Sequence, residues 1–166
     1  MKIGLLSDTH GYLHPRIKHH FKEVDEIWHA GDIGSLVVLE ELERFKPVRA
    51  VFGNIDNQKV RAATKEHRRF VIEGIDVWIT HIGGYPGRYA PQIRERIYRY
   101  PPDLFICGHS HILKIMRDKR TRLLHMNPGA CGNSGFHKVK TLIRFEIKQG
   151  QILNPEVIEL GNEKKD

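Results

Sequence analysis

Cysteine is scarce: Cys107 and Cys131 are the only two in 166 residues, and they do not form a CxxC pair. Neither a disulfide scaffold nor a thiolate zinc site is indicated, and a reducing, cytoplasmic setting is expected. Long hydrophobic runs are also missing. A membrane-spanning helix needs about 20 consecutive apolar residues, and no stretch approaches that. The chain enters the short apolar run Ile3-Gly4-Leu5-Leu6 at once and then turns polar, so no signal peptide is expected. No long Lys/Arg block occurs either. The net charge of +7 and pI near 9.5 are spread over scattered residues such as Arg16, Lys46, Arg69, Arg96 and Lys140. That favours anionic partners in general, with nucleic acid admitted but not favoured. Repeats, low-complexity tracts and linkers are absent, which leaves one domain over 1–160 and a polar tail at 161–166.

What is present suits a self-sufficient core. Forty per cent of the residues are hydrophobic and 28% charged, far from the composition of a disordered chain. Short apolar, often β-branched runs at 2–7, 25–28, 48–52, 68–73, 75–80 and 103–107 read as strands. Helix patterns fall at 12–22, 35–45 and 90–99, the second opening on Ser35 and the third carrying Pro91 in its first turn. After about residue 111 four strands follow in succession, at 112–117, 122–126, 140–147 and 151–159. An alternating first half followed by a run of strands predicts an α/β class with two mixed sheets packed between helices.

The chemistry-bearing residues stand where the expected strands end. Asp8 and His10 follow the first strand, Asp32 the second, Asn54 the third, His81 the 75–80 strand, and His109 and His111 the 103–107 strand. Carboxyl ends of parallel strands converge on one crevice, so these seven can share a pocket. Imidazole nitrogens, carboxylate oxygens and one neutral amide make a donor set for Mn, Fe, Ni or Zn. The DxH and HxH spacings put both side chains on one side of an extended segment. Glycines before Asp32, Asn54 and His109 are expected to allow tight turns.

The ordered series Asp8-Thr9-His10, Gly31-Asp32, Gly53-Asn54, His81 and Gly108-His109-Ser110-His111 resembles the DxH, GD, GN, H, GHxH pattern of the calcineurin-like metallophosphoesterase superfamily. With the opening Ser7-Asp8-Thr9-His10-Gly11 and the turn Asn127-Pro128-Gly129, it is most similar to the short phosphodiesterases of the YfcE type. The resemblance implies a four-layer α/β/β/α sandwich and two divalent metal ions, manganese ahead of nickel, iron or zinc. Asp8, His10 and His111 would bind one ion and Asn54, His81 and His109 the other, with Asp32 between them. Asn54 and His109 would also position the phosphate. The implied activity is hydrolysis of a phosphodiester, with phosphomonoesterase or nucleotidase activity as the alternative. A non-catalytic scaffold resembling the retromer subunit is a third reading, and a homo-oligomer is compatible with all three.

One position departs from larger relatives. Where they carry a histidine after the GN asparagine, this chain has Ile55, so the acid that protonates the leaving group is unassigned. The loop Gly83-Gly84-Tyr85-Pro86-Gly87-Arg88 offers Arg88 as a phosphate contact. Among the other histidines, His14, His19 and His20 are expected in solvent and His67 and His125 in strands. His29 is expected to pack at a strand end, and His137 lies in a loop open to a substrate role. Asp56 and Asp103 read as turn residues, and Glu95 and Arg99 as an i,i+4 helical pair.

Overall fold

The computed structural model describes residues 1–161, and beyond Gly161 the expected polar tail lies outside the described residues. The chain forms β1 (Lys2–Leu6), α1 (Arg16–His20), β2 (Glu26–His29), α2 (Leu36–Phe45), β3 (Val48–Ala50), α3 (Gln58–Ala63), β4 (His67–Ile72) and β5 (Ile75–Thr80). The hairpin strands β6 (Gly84–Tyr85) and β7 (Arg88–Tyr89), α4 (Pro91–Arg99), β8 (Leu104–Ile106), β9 (Leu113–Arg117), β10 (Leu124–Pro128), β11 (Thr141–Lys148) and β12 (Gln151–Glu159) complete it.

Among the described residues two five-stranded sheets result, ordered β12-β11-β1-β2-β3 and β4-β5-β8-β10-β9. Both are mixed. β1, β2 and β3 run parallel, as do β5, β8 and β10, while β11, β12, β4 and β9 pair antiparallel at the flanks. Alternation along the central strands explains the layering. Ile3 and Leu5 of β1, Val77 and Ile79 of β5, and Leu104 and Ile106 of β8 join Trp28 and Phe145 in one core. Leu6 faces away from them and packs with Ile17, Leu39, Leu42 and Val60 of the helices α1 to α3 and with Phe21 just after α1. Trp78 and Phe105 face α4 and meet Ile93 and Ile97. Strands apolar on both faces are what a sheet covered on both sides requires. The expected α/β/β/α sandwich is therefore the fold.

The helix boundaries show where local chemistry decided. α2 starts as read, with Ser35 Oγ accepting from Val37 N at 3.2 Å, the usual N-cap bond. The expected helix over 12–22 shrinks to five residues because Pro15 stands at its N-cap and disfavours helical backbone at the residue before it. α3 was not expected. Its six residues are too few for a periodic signal, and Asn57 Oδ1 caps it by accepting from Lys59 N and Val60 N. The two-residue strands of the β6–β7 hairpin were likewise invisible to a pattern of alternation.

Candidate metal centre

The loops after β1, β2, β3, β5 and β8 meet at one edge of the sandwich, and backbone hydrogen bonds lash them together. Asp8 N donates to Gly31 O at 2.9 Å, His10 N to Asp32 O at 3.0 Å, and Gly108 N to His81 O at 3.0 Å. The returning chain adds Cys131 N to Ser7 O and Gly132 N to Asp8 O, each at 3.1 Å.

Among the described residues two groups of potential ligand atoms result. Asp8, His10 and His111 form one, and Asp32, His81 and His109 the other, with the atoms of each group within 4.8 Å of one another. The groups touch through the carboxylates. Asp32 Oδ1 is 3.2 Å from His81 Nε2 while its Oδ2 is 3.6 Å from His10 Nε2, and Asp8 Oδ1 is 3.2 Å from His111 Nε2 and 4.0 Å from His81 Nε2. Asn54 lies at the exposed rim and lines a cavity of about 200 Å³ together with His81.

The donor set fits cations on its own evidence. Asp8 Oδ1, His10 Nε2 and His81 Nε2 are buried and have no hydrogen-bond partner among the described residues, although buried polar atoms are almost always satisfied. His81 Nδ1 lies 2.7 Å from Ala30 O. A carbonyl only accepts, so Nδ1 carries a proton and Nε2 is the ring atom that faces the carboxylates, where a proton or a cation between them is favoured. The electrostatics agree. Burial opposes charge on Asp8, but contacts with His10 and His111 hold its carboxyl well below the usual range. Burial likewise opposes charge on His81, and Asp32 and Asp8 outweigh it and raise the imidazole above its ordinary value. At His109 burial prevails and lowers the imidazole below its ordinary value, so the preference for positive charge is centred on Asp8 and Asp32.

Backbone geometry here differs from expectation. Asp8, His10, Asp32, His109 and His111 all have positive φ, between 49° and 67°, so the ligand pairs are presented by left-handed residues and not by extended segments. Such backbone costs of order 1–3 kcal/mol per residue and persists at functional sites. The glycines serve mainly to make room. Of the three preceding ligands only Gly31 has positive φ. A methyl group on Gly53 would strike the Asp32 carboxylate, and one on Gly108 would strike Ser7 and Asp8.

Three bracing residues had weak sequence signals. Asp56, expected in an ordinary turn, is 4% exposed. Its Oδ2 accepts from Gly53 N at 2.7 Å and Ile33 N at 3.1 Å, and its Oδ1 from Gly34 N at 2.6 Å. It thereby clips the Asp32 loop to the Asn54 loop. Asn127 Nδ2 donates to Gly108 O at 2.9 Å and Ser110 Oγ at 3.1 Å, which gives the Asn-Pro-Gly turn a purpose: it steadies the His109–His111 loop. His137 Nε2 lies 2.9 Å from Gly132 O and its ring packs edge-on against His111, 5.2 Å between centroids. His14, expected in solvent, is buried, and its Nδ1 accepts from Arg16 N. Arg88 is exposed and lines a second cavity that reaches His109.

His29 packs at its strand end as expected and also joins the loops. Gly31 N donates to its Nδ1 at 3.1 Å, so Nε2 holds the proton and donates to Thr9 Oγ1 at 2.9 Å, which donates in turn to Ile33 O. Burial pushes the His29 pKa down to about 4, and that of His125 in β10 to the same level. Unfolded histidine titrates near 6.5. The stability tied to these neutral rings is thus complete above about pH 6.5 and lost as pH falls toward 4, by about 3 kcal/mol per ring at most. Urea unfolding at pH 7 and pH 4.5 should show this drop, and equal midpoints would contradict it.

Known proteins point the same way. The sequence profile of the calcineurin-like phosphoesterase superfamily domain matches residues 1–150. A probable metallophosphoesterase of Methanothermobacter thermautotrophicus is 34% identical over 135 residues, covering 78% of this chain and 77% of that protein. A solved archaeal phosphodiesterase superposes with a TM-score of 0.75 at 24% identity, over 95% of this chain and 100% of that one. Vps29 of Entamoeba histolytica, solved with zinc, superposes at 0.72 with 14% identity, over 97% and 100% of the two chains, a likeness of fold alone. With the profile spanning nearly the whole described chain and the ordered ligand loops in place, the chain belongs to the calcineurin-like phosphoesterase superfamily.

Proposed function

We propose that this protein hydrolyses phosphodiesters at a centre of two divalent ions, held by Asp8, His10 and His111 on one side and by Asn54, His81 and His109 on the other, with Asp32 shared. The observation that carries this reading is Asp32 itself, whose two oxygens face His81 of one group and His10 of the other at 3.2 and 3.6 Å. Bound divalent ions would supply an activated water nucleophile and neutralise phosphoryl charge. Manganese is the preferred ion, and the mixed imidazole and carboxylate set also suits nickel, iron or zinc. The protein's own contribution is placement. Asp32 is held by Ile55 N at 3.1 Å, and Asp8 Oδ2 accepts from His109 N at 3.2 Å, so both carboxylates are fixed before substrate arrives.

Two cavities flank the ligands, one lined by Asn54 and His81 and the other by His109 and Arg88. A diester has two organic arms and a monoester one, which supports diesters as the substrate class. A relative in Methanocaldococcus jannaschii, 29% identical over 150 residues, is itself named a phosphodiesterase. Ile55 is 46% exposed and cannot donate a proton, so turnover should favour good leaving groups. A series of aryl phosphodiesters with added Mn²⁺ should give rates that fall steeply as leaving-group pKa rises. A flat series would mean that some other residue supplies the acid. Arg88→Ala should raise KM about tenfold, the loss of one charge-assisted hydrogen bond, and unchanged kinetics would remove Arg88 from the site.

A scaffold of the retromer kind shares the fold. Failure to cleave bis-p-nitrophenyl phosphate with Mn²⁺, Ni²⁺ or Zn²⁺ would favour that reading. A cytoplasmic setting belongs to the same proposal, consistent with Cys107 and Cys131 both being free and buried.

A further inference from the structure

Helix α3 follows the turn that carries Asn54 and sends one side chain back to it. Arg61 Nε donates to Asp56 O at 2.7 Å, and its Nη2 donates to Gly53 O at 3.1 Å and to Asn54 O at 3.5 Å. The guanidinium also lies over the ring of Phe52, its central carbon 4.5 Å from the ring centre. The helix fixes where Arg61 stands. Its own N–H donates to Asn57 O at 3.0 Å, and the neighbouring Val60 is buried in the core beneath the helices.

All three acceptors are backbone carbonyls, so the turn over 53–56 is gripped by opposite charges on its two sides. The Asp56 carboxylate takes the Gly53 amide, and the Arg61 guanidinium takes the carbonyls. A guanidinium suits this task because its five donors form a rigid planar fork that stays charged. Hydrogen bonds from a charged donor are roughly twice as strong as neutral ones.

What the turn carries gives the grip its consequence. It presents Asn54, whose own side chain makes no hydrogen bond among the described residues, so the backbone alone sets where that amide stands. Ile55 N of the same turn donates to Asp32 Oδ1 at 3.1 Å. Arg61 and Asn54 line one cavity together with His81. A bare charge at this place would act in the opposite sense. A fixed cation beside the centre repels divalent ions, so removing it would tighten their binding.

We infer that Arg61 is a positioning residue for the metal centre: it holds the 53–56 turn so that Asn54 meets the ion it binds with His81 and His109. The inference rests on the two-ion reading, and it makes one ion's affinity depend on a residue that never touches that ion.

The test titrates the chelator-treated protein with Mn²⁺ by calorimetry and follows amide exchange at Ile55 by NMR without metal. Arg61 is exposed, so its variants should fold. Arg61→Ala should weaken about tenfold the same binding step that Asn54→Ala weakens, and leave the other step within about threefold. Exchange at Ile55 should quicken about tenfold in the metal-free variant, while the amides of β5 and β8 keep their protection. Arg61→Lys keeps the charge and loses the fork, so it should recover little of either loss. Equal or tighter Mn²⁺ binding in Arg61→Ala, or full recovery in Arg61→Lys, would overturn the positioning role and leave the two-ion reading standing. If the wild-type protein takes up no ion, that reading falls, and exchange at Ile55 decides the turn: faster exchange in Arg61→Ala supports the grip, and unchanged exchange overturns it.

Discussion

Asp32→Ala should remove hydrolysis by more than about a thousandfold and deprive the protein of both metal ions, whereas His10→Ala should weaken mainly one. The asymmetry follows from geometry. Asp32 Oδ1 lies against His81 and Oδ2 against His10, so one side chain serves both ligand groups. His10 belongs to a single group and is partly exposed. Removal of a single electrostatic donor from a preorganised site commonly costs about 10²–10³ in rate, and a residue that supports both ions must exceed that. Inductively coupled plasma analysis of the two variants, alongside rates on bis-p-nitrophenyl phosphate, makes the comparison. Equal and mild losses in the two would show that Asp32 does not join the groups.

Asp56→Ala should be the most damaging substitution among the residues that never touch an ion. Its carboxylate is buried and accepts from three backbone amides, those of Ile33, Gly34 and Gly53. Alanine leaves those donors without their acceptor. Each buried unsatisfied donor costs about 1–3 kcal/mol, so a loss of about 3–5 kcal/mol is expected, a large fraction of the 5–15 kcal/mol that holds a typical domain together. The damage also reaches the chemistry, because the clipped segments carry Asp32 and Asn54. Thermal unfolding should show a large fall in Tm, and the surviving folded protein should bind metal poorly. Asp56→Asn, which keeps the shape and one acceptor oxygen, should recover part of the stability. Alanine and wild-type proteins with the same Tm would refute the clip.

The sequence made the candidate ligand residues visible because each one follows closely on a strand and strands are read from alternation. β5 and β12 fall where that pattern placed them, at Ile75–Thr80 and Gln151–Glu159. It could not show how the ligands are held. The φ of 53° at Asp32 or 67° at His109 depends on loops lashed to other loops, and asparagine- or glycine-rich local signals do not report it. Asp56 failed for a related reason. A carboxylate two residues after Asn54 looks like any turn aspartate until the Gly34 and Ile33 amides, more than twenty residues earlier, are brought beside it. His125 was legible as a strand residue, but alternation alone says only that it faces opposite to Met126. Which face is covered by the β6–β7 hairpin is decided by tertiary packing of segments too short to leave a periodic trace.

Arg88 and the paired cavities bear on the proposed substrate, and the proposed hydrolysis depends on the two candidate ligand groups acting together. Metal stoichiometry measured by isothermal titration of the chelator-treated protein with Mn²⁺, read alongside recovery of bis-p-nitrophenyl phosphate hydrolysis, addresses that most directly. Two ions per chain are expected, with turnover returning only as the second binds. Saturation at one ion with full activity, or no binding at all, would contradict a centre built from both groups.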